Sequence, residues 1–144
     1  MPFHESDYGG GLASLSAYAV PDEAISSSYE VELRSLDSYG FDNVTFIKID
    51  VEGHEESVLA GARETLERCH PTLLVEIEER HNPGGLERIV TSLSDLGYYG
   101  SFFYERIRRD ISDFVPRIHH IADRNINSIS NRRKVSYVNN FIFQ

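Results

Sequence analysis

Several features that mark particular protein classes are scarce in this sequence of 144 residues. It has one cysteine, Cys69, so no disulfide can form within the chain, which fits a reducing compartment. No apolar run approaches the roughly 20 residues that a membrane-spanning helix needs. The first residues, Met1 to Glu5, lack the basic start and apolar segment of a signal peptide. We therefore expect a cytoplasmic protein with no membrane partner.

Positive charge is also scarce. The chain has 14 Lys and Arg residues against 23 Asp and Glu residues, which gives a formal net charge of -9. Nucleic acids and anionic membranes both bind basic surfaces, so we expect neither as the main partner. Hydrophobic residues make up 40% of the chain, and charge is spread along it, as in globular proteins with a packed core.

The most informative stretch runs from Phe46 to Glu56, where an apolar run leads into acidic residues and a glycine. A short apolar run that ends abruptly in charge predicts a buried strand, and Gly53 then allows a tight turn. Apolar residues at helical spacing follow and predict a helix from about Glu55 to Arg68. The next predicted strand is Thr72 to Glu78. Two strands joined by a helix predict a right-handed parallel βαβ unit.

Weaker patterns predict the elements on either side of this unit. Alternating residues from Tyr29 to Leu33 predict a short strand. Asp37 is a candidate cap for a short helix that ends near Gly40. The later predictions are a helix from Leu86 to Leu96 closed by Gly97, a strand from Ser101 to Tyr104, and a closing strand from Val138 to Phe143 that pairs antiparallel beside it.

These elements predict a single α/β domain with four parts. Residues 1–28 form a flexible lead-in, and residues 29–104 form the βαβ core. Residues 105–134 lose helical and strand periodicity, so we expect an irregular excursion over the surface. Residues 135–144 contain the closing strand.

Acidic residues cluster where the two central strands are predicted to end. Asp50 and Glu52 follow the first strand, Glu55 begins the helix, and Glu76 lies near the end of the second strand. In open α/β sheets, ligands bind at the carboxyl ends of the strands. A carboxylate there can accept a proton from a hydroxyl or hold a positive charge. The alternatives are that Asp50 caps the helix, that Glu52 and Glu55 are ordinary first-turn acids, and that Glu76 is a solvated strand end.

Histidine and basic residues supply weaker candidates. His54 lies beside these acids and His119 beside His120, but no spacing matches a known metal site, so we assign no metal ligand. Lys48, within the central strand, is expected to reach solvent or to pair with an acid. The arginines of the stretch from Arg106 to Arg109 either grip an anionic group of a substrate or form a solvated loop face.

The central stretch also resembles a known enzyme family. The run from Ile47 to Glu55, the Val58-Leu59-x-Gly61-Ala62 segment, Pro71 and Glu76 occur in the order and spacing of the FkbM-type S-adenosylmethionine-dependent methyltransferases. The resemblance covers roughly Gly11 to Glu78 and, more faintly, the last strand. It implies a partial Rossmann-like methyltransferase sheet, mostly parallel with an antiparallel last strand.

The same resemblance implies a reaction. The family likeness points to methylation of a hydroxyl on a sugar or polyketide-like small molecule, with S-adenosylmethionine as the donor. On this reading Asp50 and Glu76 are catalytic, Asp50 and Glu52 bind the cofactor, and His54 and Glu55 bind the substrate.

Only the C-terminal half of the family pattern is recognisable. Its glycine-rich loop and the acid that ends its second strand have no counterpart upstream of Phe46. We therefore expect the central strand to expose an edge that self-associates or recruits a partner, and we expect the chain to bind S-adenosylmethionine weakly or not at all. Two other functions stay open: a non-catalytic remnant or part of a split protein, and a carboxylate-metal hydrolase that uses Asp50, Glu52 and Glu76.

Overall fold

The computed structural model describes residues 2–6, 13–14, 25–79, 81–120 and 137–144 of the chain. It contains a five-stranded mixed sheet with helices and a separate three-stranded sheet formed by the N-terminal strands. Among the described residues, no helix is both long and apolar enough to cross a bilayer.

The larger sheet has the order β4-β5-β8-β6-β7. Its strands are β4 (Phe46–Ile49), β5 (Thr72–Glu76), β6 (Gly100–Tyr104), β7 (Ile107–Asp110) and β8 (Asn140–Phe143). Strands β4 and β5 are parallel, which confirms the predicted βαβ unit. Strand β8 is antiparallel to β6, as predicted, and is also antiparallel to β5, so it lies between the two. The α/β class and the partial Rossmann-like sheet are therefore confirmed.

The helix predicted from Glu55 to Arg68 is wrong in one respect, because it is two helices, α1 (Glu55–Ala60) and α2 (Arg63–Cys69). In a continuous helix the Thr65 N–H would donate to the Gly61 carbonyl. Here the Thr65 N–H donates to the Asp37 carboxylate at 2.8 Å, and the Gly61 carbonyl accepts from the Asp37 N–H at 3.0 Å. Asp37 therefore bonds to both the N–H and the carbonyl that a continuous helix would join to each other, and the helix is broken between them.

The short helix around Asp37 is a 3-10 helix, Leu36–Tyr39. Its cap is Ser35, whose side chain accepts from the Ser38 N–H, and it ends at Gly40 with a left-handed φ of 63°. The predicted end near Gly40 is confirmed, whereas the capping role predicted for Asp37 in this helix is wrong. Asp37 instead caps the start of α2, where its carboxylate also accepts from the Glu64 N–H at 3.1 Å and the Thr65 hydroxyl at 2.8 Å.

The residues predicted as a flexible lead-in contribute strands. Strands β1 (Pro2–Ser6), β2 (Ala13–Ser14) and β3 (Ile25–Glu30) form an antiparallel sheet in the order β2-β1-β3. The strand predicted at Tyr29 to Leu33 is therefore displaced toward the N-terminus. Its limits follow the ladder with β1, in which Pro2 pairs with Glu30 and Ser6 pairs with Ile25.

The excursion predicted over residues 105–134 is regular in its first half. Strand β7 pairs antiparallel with β6 through a turn at Glu105 and Arg106, whose φ angles are 50° and 67°. Two central residues with positive φ match the twist of a two-residue hairpin. A 3-10 helix, Ile111–Asp113, and α4 (Pro116–His119) follow. Residues 121–136 lie outside the described part of the chain.

The core lies between the larger sheet and its helices. Helix α3 (Gly85–Ser94) contributes Leu86, Ile89 and Leu93 to this core. A turn follows the helix and ends at Gly97, where φ is 85°. The buried apolar side chains of the sheet are Ile49, Leu73, Val75, Phe102, Phe141 and Phe143. This packing fixes the two parallel strand ends at which the acidic residues lie.

Candidate functional site

The parallel register of β4 and β5 brings two acidic residues to one edge of the sheet. Ile49 is paired with Val75, and the next residue on each strand is Asp50 or Glu76. Neighbouring strands lie about 4.8 Å apart, so the two side chains start from adjacent backbone positions. Both carboxylates therefore lie at the carboxyl ends of the central strands, where open α/β sheets bind ligands. We call this edge of the sheet, with the turn that follows Asp50, the rim.

Asp50 is paired with a lysine of its own strand. The Lys48 ammonium donates to the Asp50 carboxylate at 2.6 Å, with side chains 52% and 40% exposed. This hydrogen bond and the charge of Asp50 raise the pKa of Lys48. The N-cap of α1 is His54, so the alternative in which Asp50 caps this helix is wrong. Asp50 remains an accessible carboxylate at the strand end.

Glu76 lies in a different environment from Asp50. Burial, followed by repulsion from Asp50 and Glu78, raises the pKa of Glu76. The Asn139 side-chain amide donates to the Glu76 carboxylate at 2.6 Å and to that of Glu78 at 3.3 Å. Two neighbouring carboxylates in unlike environments are typical of sites that separate charge binding from proton transfer.

Asn139 is a site residue that the sequence did not indicate. Its backbone carbonyl accepts from the Ile77 N–H at 2.8 Å, so the end of β5 holds it in place. The sequence predicts the closing strand beside Ser101 to Tyr104, far from Glu76. Only the insertion of β8 next to β5 brings Asn139 to the carboxylates. The sequence around Asn139 therefore gives no indication of its contact with Glu76.

Contacts with His81 and with Glu55 hold the turn after β4. Glu52 has a left-handed φ of 49° and forms an ion pair with His81. Gly53 has a φ of 95°, and a Cβ at this position would lie 3.1 Å from the His81 carbonyl oxygen. Glu55 is 2% exposed, and one of its carboxylate oxygens accepts from the Gly53 N–H at 2.7 Å. The turn is thus fixed by contacts with His81 and Glu55.

The two predicted substrate-binding residues occupy unlike positions in this turn. His54 is half-buried and makes no side-chain capping bond to α1. Glu55 lies beneath the turn, where its bond to Gly53 supports the backbone conformation. The predicted roles of both residues stay predictions, and the geometry favours a supporting role for Glu55.

The basic and histidine candidates lie in other networks. Arg108 donates to the Ser101 hydroxyl at 2.9 Å and to the Gln144 side chain at 2.6 Å, and Arg109 lies over the Tyr104 ring at 5.5 Å. Burial lowers the pKa of His119 and of His120, which favours their neutral forms. Within the described ranges, no three His, Cys, Asp or Glu side chains are grouped to hold a metal ion. The metal-hydrolase alternative gains no support from this geometry.

A cavity of about 470 Å³ is lined by residues of α3, of the loop before it and of the segment after β7. Its apolar lining comes from α3 and from the segment after β7, and Glu79 and Glu87 supply carboxylates. Glu79 follows Glu76 by three residues and accepts from the Gly84 N–H at 2.7 Å. The cavity therefore adjoins the loop that leaves the end of β5.

Comparison with known proteins gives one match. A family model described as "Methyltransferase FkbM domain" matches residues 2–99, which include Asp50, Glu52 and Glu76. Searches of curated proteins and of solved structures returned no match. The matched range starts before Gly11 and extends beyond Glu78, so it is longer than the resemblance read from the sequence.

Proposed function

The chain belongs to the FkbM methyltransferase domain family, and from this premise we propose that it methylates a hydroxyl group on a sugar or polyketide-like small molecule, with S-adenosylmethionine as the donor. The observation that carries the proposal is the pair of carboxylates, Asp50 and Glu76, on adjacent parallel strand ends in unlike environments.

The acidic residues suit a positively charged donor. When bound, S-adenosylmethionine supplies an activated methyl group on a sulfonium ion. Asp50 and Glu52 are partly exposed and are paired with Lys48 and His81. The positive charges of a bound donor would take the place of these partners. We assign the two carboxylates to cofactor binding, with Lys48 held against Asp50 in the described structure.

Glu76 is the better proton acceptor of the pair. A base works best when its pKa lies nearer the working pH, and burial and neighbouring carboxylates move the pKa of Glu76 in that direction. The acceptor hydroxyl would lose its proton to Glu76 as its oxygen takes the methyl group. The Asn139 amide holds the Glu76 carboxylate through the hydrogen bond of 2.6 Å.

The adjoining cavity suits the rest of the acceptor. Apolar side chains of Leu86, Val90, Ile111 and Phe114 line it, while Glu79 and Thr91 offer hydrogen-bonding groups. The described lining contains acidic residues and no basic one, which favours a neutral or cationic molecule over an anion. A hydroxylated small molecule with an apolar face meets these requirements. Cys69 is a free thiol, which suits the cytoplasmic location that we propose.

Transfer of a labelled methyl group tests the proposal. The full chain is incubated with S-adenosylmethionine labelled in its methyl group and a panel of monosaccharides and hydroxylated lactones. We expect label in at least one acceptor, with the rate reduced on the order of 10²–10⁴ by Glu76→Gln. Asp50→Asn should also reduce the rate, because it removes a carboxylate assigned to the donor. Asp95→Asn, an exposed carboxylate after α3, serves as the control and should keep the wild-type rate. Label transfer that survives both rim substitutions would contradict the assignment, and transfer to no acceptor would contradict the function.

A further inference from the structure

Strand β4 lies at the edge of the larger sheet. In the part of the chain that the structure describes, it hydrogen-bonds β5 and no other strand. The Thr45 carbonyl accepts from the Thr72 N–H at 3.0 Å, so Thr45 directs its backbone groups toward β5. Backbone direction alternates along a strand. Phe46 and Lys48 therefore direct their N–H and carbonyl groups away from the sheet.

The side chains at this edge are unusual for an isolated edge strand. Phe46, the first residue of β4, is a large apolar side chain that is 55% exposed. Edge strands in monomeric proteins are usually protected by charge, proline or a covering element. Lys48 is the one charged residue in β4, and its ammonium is held by Asp50.

We propose that β4 pairs antiparallel with β4 of a second copy of this chain across a two-fold axis. The register follows from the outward-facing residues, because hydrogen-bonded pairs form between residues that both face the partner. Centring the pairing on Ile47 places Phe46 opposite Lys48 of the partner subunit, and Lys48 opposite Phe46 of the partner subunit. This arrangement makes about four backbone hydrogen bonds and joins the two sheets.

The same register makes the side chains complementary. The Phe46 ring lies beside the methylene chain and ammonium of the partner's Lys48, a contact that combines apolar packing with cation–π attraction. Ile47 meets Ile47 of the partner subunit on the other face. The two-fold axis forms the contact between Phe46 and Lys48 twice. One interface with a second copy therefore pairs both outward-facing residues of β4. This self-matching favours a second copy over an unrelated strand.

The proposal is independent of methyl transfer, since it is tested by mass rather than by activity. Light scattering coupled to size-exclusion chromatography should give twice the chain mass of 16.4 kDa at micromolar concentrations. A chain that stays monomeric across this range would overturn the proposal.

Charge substitutions at Phe46 test the register itself. Phe46→Lys places like charges opposite each other twice per interface, whereas Phe46→Glu places a carboxylate opposite the partner's Lys48. Both variants lose the ring, and both leave the β4–β5 ladder its backbone groups. We expect the dimer of Phe46→Lys to dissociate at a concentration on the order of tenfold higher than that of Phe46→Glu.

The control is Tyr99→Lys, which removes an aromatic ring that is 81% exposed, on the segment before β6. It should leave the wild-type dimer unchanged. Circular dichroism checks that each variant is folded. Equal dissociation of the Lys and Glu variants would overturn the register, and an effect of Tyr99→Lys as large as that of Phe46→Lys would overturn the assignment of the interface to β4.

Discussion

Replacing Glu76 with glutamine should stabilise the fold while it removes the proposed proton acceptor. Burial, Asp50 and Glu78 all raise the pKa of Glu76, which means that its ionised form is disfavoured in the folded state. Glutamine has nearly the same shape, and its side-chain oxygen can still accept from the Asn139 amide, now 2.6 Å from the Glu76 carboxylate. The substitution therefore removes repulsion without opening a cavity.

The size and pH dependence of the effect follow from this environment. Relief of like-charge repulsion near the surface contributes about 1 kcal/mol, which for a chain of this length raises Tm by about 3–4 °C. Well below the ordinary value of 4.5, the carboxyl group is protonated in both folded and unfolded chains, so the wild type and the Glu76→Gln variant should be equally stable. As the pH rises through the raised folded-state pKa, the wild type loses stability relative to the variant.

Thermal unfolding followed by circular dichroism between pH 3 and pH 8 measures this difference directly. We expect the Tm of Glu76→Gln to match that of the wild type at the acidic end and to exceed it at neutral pH. Asp95→Asn, at an exposed position, should show no such divergence. A Glu76→Gln variant that is less stable at neutral pH, or a difference that does not vary with pH, would refute the reasoning.

Two further predictions concern the cap of α2 and the turn after β4. Asp37→Ala should lower the free energy of unfolding by about 2 kcal/mol in urea denaturation, because it removes the cap of α2, and Asp37→Asn should recover part of the loss. A loss within error of zero would contradict the capping role. Gly53→Ala should be destabilised by about 1–2 kcal/mol in the same assay, and by more than Gly40→Ala, because only the added methyl at residue 53 meets a neighbouring backbone atom. Equal losses at the two glycines would show that the contact with His81 carries no cost.

The centre of the fold could be predicted from local pattern. The apolar run ending at Asp50, the helical spacing after it and the second run ending at Glu76 each carry their own periodicity, and the structure forms β4, α1, α2 and β5 from them. The acidic rim follows from the parallel pairing alone, since adjacent parallel strands end at the same edge.

The features that could not be predicted depend on contacts between distant residues or on unusual turns. The break between α1 and α2 is made by Asp37, which precedes Thr65 by 28 residues and leaves no mark on the helical period. The β6–β7 hairpin uses Glu105 and Arg106 where asparagine and glycine are the usual signal. Asn139 reaches Glu76 only because β8 enters the sheet beside β5.

The central claim is that the rim at the ends of β4 and β5 binds the methyl donor, and an NMR titration tests it most directly. Backbone amide shifts of the labelled chain are followed as S-adenosylmethionine is added to millimolar concentration, so that weak binding is detected. We expect saturable shifts at Asp50, Glu52 and Gly53, and their loss in Asp50→Asn. Shifts confined to the α3 face, or no saturable shifts in the wild type, would contradict it.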